Sequence, residues 1–174
     1  MAIRGIENIP FVDVMDVEVL SPDTIKIIVY EKALAGYIEF MDNYLYFDKD
    51  GTVVESSEEV LPFVPKIEGL KVDKLSLYQR LSVENEEVLE ILLAVSKMMK
   101  KYELQPDDIH LRKNGMEIVL TFANVRINLG NGANMDEKAA RIKTLLPDLE
   151  DMAGVLHMEE YTNESTNISF IKDT

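Results

Sequence analysis

The chain has 174 residues, with 18 Lys and Arg against 32 Asp and Glu, which gives a formal net charge of −14. Such acidity excludes nucleic acid and anionic lipid as direct ligands, because binding either depends on Lys and Arg meeting phosphate. The hydrophobic content of 47% and the absence of cysteine imply a core that folds unaided and rule out disulfides, thiolate metal sites and a cysteine nucleophile.

Residues 3–9 read as the end of a short helix, stopped before Pro10. A strand follows, in which Met15, Val17 and Val19 alternate against Asp16 and Glu18. Val12 and Val14 sit in the opposite phase, so the strand either carries a bulge or begins near Met15. Ser21-Pro22-Asp23 supplies turn chemistry, and Ile25, Ile27 and Val29 line one face of a return strand. Residues 15–31 therefore form a hairpin. Residues 34–41 and 44–48 read as strands around Asp42-Asn43, and Lys49-Asp50-Gly51 turns the chain into residues 52–54. Pro62, Pro65 and Gly69 mark residues 56–72 as an irregular connection.

The spacing of Val88, Ile91, Leu92, Val95, Met98, Met99 and Tyr102 predicts a helix over 84–102. Glutamates crowd its start and lysines its end, which complements the helix dipole. A meander follows. Asn114-Gly115 reads as a two-residue type I′ link between strands 109–113 and 116–122, and 125–129 makes a third strand. A second helix presents Ala139, Ile142, Leu145, Leu146, Leu149 and Met152 and ends at Gly154. Pro147 either kinks it or starts a second short helix. Residues 155–161 and 168–171 close the chain as two strands around a polar loop. The expected fold class is α+β, with mostly antiparallel strands and two main helices.

Motifs for chemistry are weak. Asp48-Lys49-Asp50-Gly51 resembles the middle of a calcium loop, but Tyr46 and Ser57 occupy its first and twelfth positions. A β-turn is the better reading. Gly130-x-Gly132 lacks the third glycine of a dinucleotide fingerprint. His110 and His157 lie outside any zinc-binding spacing, and Asn163 and Asn167 begin glycosylation-type triplets. No catalytic residue, metal ligand or cofactor is assigned. The longest apolar runs, such as 91–95, fall far short of the roughly 18 residues of a spanning helix, and no signal peptide is visible. The chain is thus either cytosolic or preceded by a segment that has been removed. The closing strands offer an alternative to chemistry. A terminal strand is either paired on both sides or left as an edge that accepts a partner strand.

Ile9-Pro10-Phe11-Val12 and the run Ser21-Pro22-Asp23-Thr24-Ile25-Lys26-Ile27, continuing to Glu31-Lys32-Ala33-Leu34-Ala35, resemble the FtsQ/DivIB family of bacterial cell-division proteins. Tyr46-Phe47-Asp48-Lys49-Asp50-Gly51-Thr52-Val53, Leu61-Pro62 and Val125-Arg126-Ile127-Asn128-Leu129-Gly130 extend the likeness. Leu34 stands where the family usually has proline. The resemblance implies that residues 1–33 close a POTRA domain (β-α-α-β-β), reduced here to its final hairpin, and that 34–174 form the family's β domain. It implies a single-pass cell-membrane protein with this region on the extracytoplasmic side, carried on an anchor helix outside this chain. It implies a non-enzymatic divisome scaffold that binds FtsB/DivIC-like and FtsL-like partners by strand addition at its C-terminal edge. The matching positions are Val155 to Tyr161 and the segment after them, with Leu156, Met158, Glu160, Tyr161, Ile168 and Phe170 as the expected contact strip, some of which alternation places on the core face. Glu160 replaces a family arginine, and with Glu159 it implies a partner tail rich in Lys and Arg. Two rival readings remain: a POTRA-type module of a secretion or outer-membrane assembly protein, and a metal-dependent hydrolase using His110, His157 and an acid.

Overall fold

The computed structural model describes residues 9, 11–162, 164–165 and 168–174. The short helix expected over residues 3–9 falls outside them except at Ile9, as do Asn163 and Asn167. The chain divides into two units, Met1–Ala33 and Leu34–Thr174.

In the first unit, β1 (Val12–Ser21) and β2 (Thr24–Glu31) pair antiparallel. The phase slip noted in the sequence is a register shift between Val12 and Val14. Met15, Val17 and Val19 stand opposite Val29, Ile27 and Ile25. Across these three pairs one face of the hairpin is apolar, and Val17, Val19, Ile25, Ile27 and Val29 on it are exposed.

The second unit begins with a meander of β3 (Leu34–Phe40), β4 (Asn43–Asp48) and β5 (Val53–Ser57). Met41 and Asp42 both take positive φ, the backbone of a type I′ hairpin turn. The Asp48 carboxylate accepts the amide N–H groups of Asp50 and Thr52, each at 2.9 Å. That carboxylate organises a turn.

Residues 56–72 are more ordered than the prolines suggest. They contain β6 (Lys66–Glu68), which runs parallel to β3 and to a later strand. Two short strands, β7 (Val72–Lys74) and β8 (Ser82–Val83), pair separately. Helix α1 (Glu86–Lys101) is capped by Asn85, whose side chain accepts from the Glu87 amide at 3.0 Å. It buries Val88, Leu89, Leu92, Val95 and Met99.

Strands β9 (Asp108–Arg112), β10 (Glu117–Phe122) and β11 (Val125–Gly130) form the second meander. The expected two-residue link is longer. Lys113, Asn114 and Gly115 all have positive φ, and Met116 is exposed rather than part of the strand. Helix α2 (Met135–Leu149) runs through Pro147 without starting a new helix and ends two residues later. Gly154 opens the next strand rather than closing the helix. Strands β12 (Gly154–His157) and β13 (Ser169–Lys172) complete the fold.

Among the described residues the main sheet has nine strands in the order β13-β12-β11-β10-β9-β6-β3-β4-β5. It is α+β with mostly antiparallel pairing. The parallel joins are β3 with β6, β6 with β9, and β11 with β12. One core unites the buried residues of both helices with Ile67, Ile109, Leu111, Ile118, Leu120, Ile127, Leu129 and Leu156 from the sheet. Among the described residues no helix is long and apolar enough to cross a membrane.

Candidate functional site

β13 is the outermost strand at one end of the sheet. It pairs with β12 in the register Gly154↔Lys172, Val155↔Ile171, Leu156↔Phe170 and His157↔Ser169. β12 is flanked on both sides, by β11 and β13. The strand edge at this end of the sheet therefore belongs to β13. Alternate main-chain groups of such an edge face away from the sheet and stay available for pairing.

Local packing brings β13 close to its neighbour. A Cβ on Gly154 would lie 2.3 Å from the Ile171 carbonyl oxygen and 3.0 Å from the Lys172 Cα, so only glycine fits beneath β13. Beyond the strand, the Asp173 amide donates to the Ala153 carbonyl at 3.0 Å, and Arg126 on β11 pairs with the Asp173 carboxylate.

The strand expected over 155–161 stops at His157. The Met158 amide makes a last bond to the Asn128 carbonyl at 2.9 Å, and the Tyr161 amide then donates to the Met158 carbonyl at 3.1 Å. Residues 159 and 160 are the turn so formed. This placement redistributes the six expected contact positions. Leu156 is 2% exposed and Met158 0%, so both side chains belong to the core. Tyr161, Ile168 and Phe170 are half-buried against that core, and Glu160 is exposed in the turn.

An open pocket of about 400 Å³ lies here, lined by His157, Glu159, Glu160, Ile168 and Ser169. The His157 Nδ1 and Glu159 Oε1 atoms are 2.9 Å apart, the ring nitrogen donating to the carboxylate. Two carboxylates beside an apolar wall suit a long basic side chain, whose stem is aliphatic and whose head is cationic. The sequence singled out Glu159 beside Glu160, and His157 only as a rival metal ligand; the pairing of β12 with β13 is what sets both beside Ser169. His110 sits on β9 beside Glu68, at 3.4 Å. Strands β10 and β11 separate it from β12, so the two histidines do not share a site. Among the described residues no group of three or more His, Asp or Glu side chains converges as metal ligands would.

Behind the turn lies Lys138 of α2. Its side chain is 0% exposed, and its Nζ donates to the carbonyls of Leu129 at 2.7 Å and Glu159 at 3.0 Å. Burial pushes this ammonium below the ordinary lysine value, against a partial upward pull from Glu159 and Glu160. The sequence carried a signal for it, namely a cation at helical spacing from Ile142 on an otherwise apolar stripe.

Compared with known proteins, the chain matches no family model and no curated protein.

Proposed function

We propose that this chain is the extracytoplasmic part of an FtsQ/DivIB-type divisome scaffold. It binds FtsB/DivIC-like and FtsL-like partners and so links them to septal peptidoglycan synthesis. In this reading it performs no catalysis and sits outside the cell membrane on an anchor helix. The observation that carries the proposal is the outermost position of β13 beside an acidic turn, in the segment to which the sequence resemblance assigns partner binding. An extended partner segment adds to β13 as a further strand. Main-chain hydrogen bonds supply affinity without reading side chains, and Glu159 and Glu160 favour a basic neighbour.

The test uses the purified extracytoplasmic segment of the DivIC/FtsB-type protein encoded in the same genome, titrated against the full chain and two variants. Lys172→Pro removes an amide donor on the outward side of β13, the Ile171 amide being turned inward to Val155, and Tyr161→Ala removes the half-buried ring behind the turn. Each is expected to weaken binding by about tenfold or more, a loss of about 1.4 kcal/mol, while unfolding stays cooperative. Unchanged affinity in both variants sinks the docking reading.

A further inference from the structure

We propose that Lys138 is the positioning residue of the docking site: its ammonium sets the main-chain path on which Glu159, Glu160 and Tyr161 leave the sheet. The inference rests on the docking reading above and deepens it.

The argument begins with the sheet. β11 and β12 run parallel, in register from Val125↔Gly154 to Asn128↔His157. Their ladder ends at the bond from the Met158 amide to the Asn128 carbonyl. Beyond that point, among the described residues, no strand pairing holds the two segments side by side. The Leu129 and Glu159 carbonyls are the next acceptors along each chain, and Lys138 Nζ donates to both. A helix side chain thus supplies the rung that follows the last one of the ladder.

Close approach supports the same picture. Gly130, at φ +67, lies against Glu159, where a Cβ would stand 3.3 Å from the Glu159 Cα. Glu159 then directs its carboxylate onto His157 and into the pocket that borders β13. Holding the Glu159 carbonyl therefore holds the acidic wall of the pocket and the start of the turn.

Stability is a poor reason for a lysine here. The flanking α2 positions Ala139 and Ile142 are 0% exposed and belong to the core, and Leu149 is also buried. A cation placed among them loses its hydration, a cost that its two carbonyl bonds only partly offset. Two carbonyl dipoles compensate it, with the carboxylates of Glu159 and Glu160 acting only at a distance. What an apolar residue of equal length cannot do is hold two main-chain carbonyls at one point.

Lys138→Met separates the two roles in the full chain. Three quantities are read: the thermal midpoint, amide hydrogen exchange at residues 159–161, and affinity for the DivIC/FtsB-type segment named above. The expected result is faster exchange at residues 159–161 and about tenfold weaker binding, with any fall in the midpoint, from the two carbonyls left without their donor, no larger than that of the control below. Leu149→Ala is the control, since it weakens the same helix at a buried position away from the turn. It is expected to lower the midpoint and leave the affinity of the folded protein unchanged. Should Lys138→Met unfold at the assay temperature, Lys138→Gln is measured by the same criteria. Unchanged exchange, or unchanged affinity where the unaltered chain binds, overturns the proposal alone. An affinity loss matched by Leu149→Ala overturns it as well. No binding by the unaltered chain overturns the docking reading, and the positioning role goes with it.

Discussion

Lys138 also titrates in a way that reports on its surroundings. Its folded-state value lies below that of an ordinary lysine because burial disfavours the charged form. The unfolded chain restores the ordinary value of about 10.4. Between the two values the unfolded state holds more protons, so stability rises with pH across that window. Below the window the full penalty of burying the cation remains. Lys138→Met removes that penalty at every pH, so its stability relative to the unaltered chain is highest near neutrality and falls as pH climbs toward 10. The gap changes by at most about 1.4 kcal/mol per pH unit. Urea unfolding of both proteins from pH 7 to 9.5 measures it, and a gap constant with pH contradicts a desolvated ammonium. Tyrosines and the other lysines titrate in both proteins and drop out of the difference.

At the scale of the element, β13 depends on the glycine beneath it. Gly154→Ala drives a methyl group onto the Ile171 carbonyl and the Lys172 Cα, so β13 must shift or detach. The expected cost is about 1–3 kcal/mol, read by denaturant unfolding, with amide exchange raised first in residues 169–172. A variant as stable as the parent would show that β13 is not seated as described.

Elements differ in how far their residues announce them. Helix α1 was legible because glutamates and lysines mark its ends and its apolar positions repeat every turn, while its cap, Asn85, went unread. The hairpin of β1 and β2 was legible down to its register slip. β6 was hidden, since three residues with one buried side chain, Ile67, carry no period, and Pro62 and Pro65 suggest a loop. The site was harder still. Alternation through residues 155–161 looks like strand throughout, but pairing stops where β11 turns away at Gly130. Hydrogen bonding, which local sequence does not display, decides that Glu159 and Glu160 lie in a turn closed by the Tyr161 amide. The same alternation cannot tell a core face from a contact face, which is why Leu156 and Met158 read as contacts and are in fact buried.

For the whole molecule, a net charge of −14 acts beyond any single ion pair. The exposed pairs in this structure are worth little individually. The summed field attracts a basic partner segment from a distance and raises its rate of encounter. Salt shortens the reach of that field to about 8 Å at physiological ionic strength. Association with the DivIC/FtsB-type segment is therefore expected to slow as salt rises from about 50 mM to 500 mM, while dissociation changes less. Stopped-flow measurement separates the two rates. An association rate indifferent to salt would leave the acidity with no part in recognition.

The placement of β6 governs the order in which the sheet can be completed. β6 joins the first meander through its bond to β3, but its other side is reserved for β9, about forty residues further along the chain. Until β9 arrives, residues 66–68 form a raw border of the half-built sheet. Closing that span costs loop entropy before any contact rewards it. Joining the two meanders at β6 is thus the natural late step of folding. A chain interrupted before residue 108 would expose there a strand able to recruit the wrong partner, including another copy of itself.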